Sequence, residues 1–585
     1  MESIESSSSL DALVTLVGST PRRLKERSFL RKSATDLSES VGPSSGRMKR
    51  ELNAFDTLMF GIGCIVGTGV FVVTGVAAKD NAGPAVIIAY LVAAVSSVLS
   101  ALCYTEFAIE MPVAGGAFSY LLATFGEYPA YLTVANVLLE YMLGAAAVGR
   151  GFTSYGATLF NWQPNSLRIE VYGTYIDVLA ALLVLLLTLL ICYGTKDSSM
   201  FNIIVSLGNL AAIAVVIVIG ITKGDIGNIT NDFNPYGAEG VVDAAALVYF
   251  SFVGFDAVAT LTEEVGNPSR DIPIGTVGSV IIVAVIYALM SVSLCMMMPY
   301  RSIDIDAPYP AALDFINCTW GKYVVAVGAL MGILTSLLVL LIAQSRVVLV
   351  IGRSNLLPAA LSRISLRWNT PVISTIVLGV ITSFIALFMD LTSLSSMVSI
   401  GTLFVFIMVA LALIYKRYYV PELETTSPHK VLLHILWIVA SAFGVAISYH
   451  QTSAELNYLL PIFVVCWVTS TLSLQLTTRQ QQIPPGFAVP LVPWIPSFSV
   501  LVNVFLITSL NRNAYIRVLA WSTLATLVYM FYGVHASLHA DQLAEGYNVV
   551  GPVESGEVDP YTYSRLEGNK DDAHIPTITS REALS

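Results

Sequence analysis

The sequence predicts an all-α polytopic membrane protein with about fourteen transmembrane helices, and three observations predict it. Of its 585 residues, 55% are hydrophobic and only 12% charged, with a mean hydropathy of +0.73, a balance too apolar for a soluble chain. Apolar runs of the roughly 20 residues needed to cross a hydrocarbon core recur from Ala54 to about Val534. Two of these runs, five apart in order, are interrupted mid-way. Five is odd, so the two broken helices enter the bilayer from opposite sides, as the inverted repeats of a secondary transporter require.

Before the first run, residues 1–50 are Ser-rich, polar and basic, which suits a disordered cytoplasmic arm beside an anionic membrane face. No apolar core of signal-peptide length precedes Arg22, so the first span is expected to serve as the insertion signal. Spans are expected near 54–78, 84–108, 128–160, 174–193, 200–222, 241–262, 273–299, 323–349, 372–389, 394–415, 431–450, 456–476, 489–509 and 514–535. The economical division is a first repeat over 51–222, a second over 223–420 and peripheral helices over 421–537. A polar, acidic tail over 538–585 is expected to be disordered and cytoplasmic. Tyr563-Ser-Arg-Leu566 in that tail fits a tyrosine-based sorting pattern, which is short enough to arise by chance.

Orientation follows from the basic residues, because short cytoplasmic loops retain positive charge. The first 50 residues carry Arg22, Arg23, Lys25, Arg27, Arg31, Lys32, Arg47, Lys49 and Arg50, which puts the N-terminus inside. Alternate loops counted as inside also hold the larger share of the remaining Lys and Arg. Two glycosylation sequons, at Asn228 and Asn317, both fall in loops this topology places outside.

Six cysteines are scattered singly and form neither a disulfide framework nor a metal-ligand spacing. The net charge of −10 owes much to the acidic tail, and nothing suggests nucleic acid. An enzyme would need a catalytic constellation, but HExxH, GxSxG and GxxxxGK[ST] are all absent and every His lies after residue 428. A channel would need a filter, and no TVGYG-like run occurs. A nutrient sensor that binds its ligand without moving it is the third alternative.

The first interruption is GIGCIVGTG, residues 61–69, with four glycines in nine positions. Each glycine weakens a helix interior by about 1 kcal/mol, and unravelled backbone survives in lipid only where protein or a water-filled cavity satisfies it. Gly67-Thr68-Gly69 would free N–H groups at the start of a half-helix, where a carboxylate belongs. The second interruption, Tyr249 to Asp256, exposes carbonyls suited to an ammonium group. Together the breaks suit a zwitterion. The plainer alternative is that the glycines only let helices pack closely.

These residues carry a resemblance. GCIVGTGVFVVTG (63–75), YTEFAIEMPVAGGAFSY (104–120), LLEY (138–141), GTKDSS (194–199), FSFVGFDAVATLTEEVGNPSRDIP (250–273) and the segment from Gln344-Ser-Arg346 to Leu356-Leu-Pro358 resemble the cationic amino acid transporter branch, plant type, of the amino acid-polyamine-organocation superfamily. The resemblance implies a LeuT-type five-plus-five core with four peripheral helices. It also implies amino acid uptake with the proton as coupling ion and no other cofactor, at the plasma membrane or, alternatively, the vacuolar membrane. Carried over by motif, Ile65, Thr68 and Gly69 would hold the substrate carboxylate. Phe250, Ser251 and Val253 would surround its amine, and Lys196 and Asp256 would couple protons. For Lys196 the alternative is a side chain snorkelling at the inner interface.

Glu140 lies inside the third span without a basic residue three or four positions away. It serves either as counter-charge for a cationic side chain or as a structural ion pair with Arg150 or Arg346. Glu106, Glu263, Glu264 and Arg270 lie near span ends and are expected to make gating or structural contacts. One departure stands out. Within Thr335-Ser-Leu-Leu-Val-Leu340, Leu340 occupies a position where transporters of arginine and lysine have a small residue, which would shorten the side-chain pocket and favour neutral or mixed substrates.

Overall fold

The computed structural model describes residues 20–25, 27–31, 52–111, 116–171, 174–193, 198–259, 262, 265–365, 370–420, 427–450 and 459–538. Among them the strands are one short hairpin, β1 (Ile169–Val171) antiparallel to β2 (Thr174–Ile176). All other regular structure is helical, as it must be where no water is present to satisfy an exposed backbone. Ten helices are long and apolar enough to cross a membrane on those grounds alone, and shorter apolar helices at 54–65, 178–192, 372–388 and 494–508 stand at further expected positions. The spans keep their expected order below. The face where the first begins is the near face, and its opposite the far face.

The first span starts on a capping box: Asn53 Oδ1 accepts from the N–H groups of Phe55 and Asp56, and Asp56 Oδ2 accepts from Asn53 N–H. It runs Ala54–Ile65, breaks at Val66 and Gly67, and resumes as Thr68–Val76. The interruption is therefore shorter than the glycine run. Gly61 stays helical, where a Cβ would lie 2.6 Å from Ser279 Oγ on the seventh span. Close packing accounts for the start of the run and the break for its end. The sixth span is helical over Gly237–Val248, tightens to a 3-10 turn at Tyr249–Phe252 and resumes at Asp256–Ala259.

The packing has the exchange symmetry of a five-plus-five repeat. The first span packs on the seventh and the sixth on the second; the fifth packs on the eighth and the tenth on the third. The pairs third with eighth, fourth with ninth and second with seventh map onto themselves. Of the later helices, Pro428–His450 pairs with Leu459–Thr477, and Trp494–Thr508 packs on the tenth and second spans. That last contact is polar: Ser96 donates to Asn503 Oδ1 at 2.5 Å, and Asn503 Nδ2 donates to Ser100 Oγ at 3.1 Å.

On the near face, Arg417 of the tenth span makes a two-pronged bond to Glu106 of the second, at 2.7 and 2.8 Å. Glu106 also accepts from Val489 N–H at 2.6 Å, and Lys416 pairs with Glu110 at 2.9 Å. Of the N-terminal arm, residues 20–25 and 27–31 are described and make contacts on this face. Ser28 C=O accepts from Tyr128 N–H at 3.0 Å, Arg31 donates to Tyr415 OH at 2.8 Å, and Arg23 Nη1 meets His535 Nδ1 at 2.7 Å. Arg31 and Arg23, which composition assigns to solvent or lipid headgroups, instead find tyrosine and histidine partners on the near face.

Candidate functional site

The two breaks interlock. Gly69 lies so close to the second break that a Cβ there would be 2.4 Å from Ser251 Cα, and Gly254 would reach the Cys64 carbonyl at 2.8 Å. Gly254 also has φ +117°, a conformation that side chains disfavour. The buried Tyr287 hydroxyl of the seventh span faces the Ile65 carbonyl at 2.8 Å and the Ser251 carbonyl at 3.1 Å, one from each break.

Between the breaks lies a cavity of about 60 Å³. Ile65, Gly67 and Gly69 form one wall and Phe250, Ser251 and Val253 another. The half-helix beginning at Thr68 has Gly67 as N-cap and no side-chain cap, so its first N–H groups are open to a ligand acceptor. Leu340 of the eighth span also lines the cavity, and a Cβ on Gly144 of the third would sit 3.5 Å from its Cδ1 and 3.8 Å from Phe250 Cε2. The motif-derived residues Ile65, Gly69, Phe250, Ser251, Val253 and Leu340 thus converge on one space. The side chain of Thr68 and all of Lys196 lie outside the described residues, as do Glu263 and Glu264.

Glu140 and Asp256 line that same cavity. Motif and span position assign them separate tasks, but the fold makes them neighbours, and Tyr141 OH donates to Asp256 Oδ2 at 2.9 Å. Neither candidate arginine partners Glu140. Arg150 pairs with Asp177 and donates to the backbone carbonyls of Met389 and Tyr175, and Arg346 is exposed. No described Lys or Arg lines the cavity. Two carboxylates in a membrane-depth space without a fixed base favour a cation or a proton between them.

Further along the half-helix that starts at Thr68, the buried Phe71 ring meets Tyr155 and Tyr309 edge-on, with Tyr155 OH donating to the Phe71 carbonyl at 2.6 Å. The far face also carries a charge network. Arg168 bonds Asp177 at 3.3 Å and Asp306 at 3.0 Å, and Thr153 donates to Asp177 at 2.7 Å.

The amino acid permease family profile matches residues 52–470, and the profile for the C-terminus of such permeases matches 487–537. The chain belongs to the amino acid permease family. It is 40% identical over 541 residues to Cationic amino acid transporter 1 of Arabidopsis thaliana, covering 91% of each chain. With the chloroplastic Cationic amino acid transporter 6 of the same plant it shares 42% over 550 residues, 91% of this chain and 94% of that one. With the vacuolar Cationic amino acid transporter 8 it shares 39% over 529 residues, 89% of each. This places the permease in the plant cationic amino acid transporter branch that its motifs indicated, among transporters and not enzymes.

Several site residues of this permease escaped sequence reasoning. Tyr141 directly follows Glu140 and could have been found as a polar neighbour inside a span. Tyr287 is one tyrosine in an apolar run, and a buried Tyr hydroxyl needs a partner, but only the fold reveals that the partner is the pair of breaks. The two sequons differ. Asn317 is exposed, whereas Asn228 Nδ2, the atom a glycan would modify, donates to the Met296 carbonyl at 2.9 Å.

Proposed function

We propose that this permease is a secondary active amino acid transporter working by alternating access. The near face would be cytoplasmic, the plasma membrane its site and the vacuolar membrane the alternative. The observation that carries the reading is the single cavity that joins an uncapped half-helix start to two carboxylates without a fixed base. The substrate carboxylate would meet the N–H groups after Gly67, its ammonium the carbonyls of the second break, and a cationic side chain the Glu140 and Asp256 end. Leu340 narrows the same end, which supports a mixed range including large neutral amino acids.

Energetics separate the two substrate types. One positive charge moving down 100 mV supplies about 2.3 kcal/mol, enough for roughly a 50-fold gradient. A cationic amino acid needs no more than this, whereas a neutral one needs a coupled proton, for which Asp256 and Lys196 are the assigned carriers. In proteoliposomes, labelled arginine should accumulate under a membrane potential alone and leucine only with an inward proton gradient. Asp256→Asn should abolish concentrative leucine uptake, while arginine entry down the potential should persist with a raised half-saturation concentration. Leucine accumulation unaffected by that change would remove Asp256 from the coupling mechanism, and binding without uptake of either amino acid would make the protein a sensor.

A further inference from the structure

Three buried side-chain atoms without a hydrogen-bond partner flank the first break: Ser336 Oγ of the eighth span, Asn209 Oδ1 of the fifth and Ser251 Oγ of the second break. Ser336 presses on Gly67 so closely that a Cβ there would lie 1.9 Å from its Oγ, and Ser251 Oγ would lie 2.7 Å from a Cβ on Gly69. Asn209 Nδ2 donates to the Val66 carbonyl at 3.3 Å, which fixes the break and leaves its other amide atom unused. A polar group buried without a partner is costly, and the cavity is where relief must come from.

The three are not equivalent. Ser251 has the Tyr90 hydroxyl beside it as an alternative partner. Asn209 does not line the cavity, whereas Ser336 does. A hydroxyl has a proton to give, and it stands next to Gly67, the residue that opens the half-helix start. The group that could accept both from that hydroxyl and from the N–H groups after Gly67 is a carboxylate with its two oxygens.

We infer that Ser336 donates a hydrogen bond to the α-carboxylate of the transported amino acid, as a third-party contact from the eighth span to the half-helix start. The inference rests on the reading of this cavity as an amino acid site and adds a residue that no motif carried. It requires every amino acid substrate, cationic or neutral, to use Ser336 equally, since all share the carboxylate.

The test is initial uptake of labelled arginine and of labelled leucine in proteoliposomes containing the wild type, Ser336→Ala or Ser336→Cys, each checked for a single symmetric size-exclusion peak. Removing one hydrogen bond to a charged group should raise the half-saturation concentration about 10- to 100-fold for Ser336→Ala. The factor should be the same for arginine and leucine, with a smaller rise for Ser336→Cys, whose thiol is a weak donor. Inhibition of arginine uptake by agmatine, which lacks the carboxylate, should be unchanged between wild type and variant. A change below about threefold, or unequal factors for the two amino acids, overturns the role of Ser336 while wild-type uptake leaves the amino acid site standing. Absence of uptake by the wild type overturns both.

Discussion

The two faces of the protein are held by charge in different ways. On the near face, Glu106 and Arg417 are almost fully buried, and each satisfies the other through two parallel bonds, with Val489 N–H taking up remaining acceptor capacity. On the far face one buried carboxylate, Asp177, is shared by Arg150 and Arg168, and Arg168 reaches on to Asp306, whose side chain is 23% exposed. The near-face pair joins the second and tenth spans to the chain leading into Trp494–Thr508. The far-face network ends on a segment that also carries Tyr309, whose ring packs edge-on against Phe71 of the first span. A closed pair holds a frame, whereas an open-ended network has a weak last link. That link, Arg168 to Asp306, lies where the far side would have to part.

The largest effect that would sharpen this contrast is expected at Glu106. Glu106→Ala leaves Arg417 buried without its partner, a loss on the order of 3–5 kcal/mol, which should appear as a strongly lowered unfolding temperature in detergent and poor recovery. A variant as stable as the wild type would break the comparison. Asp306→Asn comes next and should cost less than about 1 kcal/mol of stability, because one partner is partly exposed. It should nevertheless raise the labelling rate of Cys64, which lines the cavity, by a membrane-impermeant thiol reagent applied from the far face. Unchanged labelling would mean that the weak link is not where the far side opens. The smallest effect is expected for Arg31→Ala, which removes the arm's hydrogen bond to Tyr415 and its stacking over that ring at 5.1 Å. A few tenths of a kcal/mol and faster proteolysis within residues 20–31 are expected, and unaltered proteolysis would show that this arginine does not hold the arm.

Much of this was legible in the chain because lipid imposes simple rules. Apolar length fixed where helices stand, and glycines in a span that ought to be continuous marked Gly67 and Gly69. Other features were hidden because they depend on what the fold brings together. Glu140 and Asp256 are separated by more than a hundred residues, so their sharing of one cavity has no local signal. Arg150 is the right residue type to neutralise Glu140 and lies on the same helix, but it stands nearly three turns further along, where Asp177 claims it. The arm at residues 20–31 has the composition of a disordered segment. The contacts of its described residues with Tyr128, Tyr415 and His535 are ones that composition does not record.

Tyr287 offers one proton to two carbonyl oxygens. At any instant it can serve Ser251 or Ile65, whose carbonyl also accepts from Gly67 N–H at 2.9 Å. An ammonium group at the breaks would bring up to three further N–H donors to these carbonyls, and the tyrosine proton would then stay with whichever carbonyl the guest did not take. One shared proton across two carbonyls, each with two lone pairs, leaves acceptor capacity at the junction of the breaks that a donor-bearing headgroup could use and a purely accepting one could not.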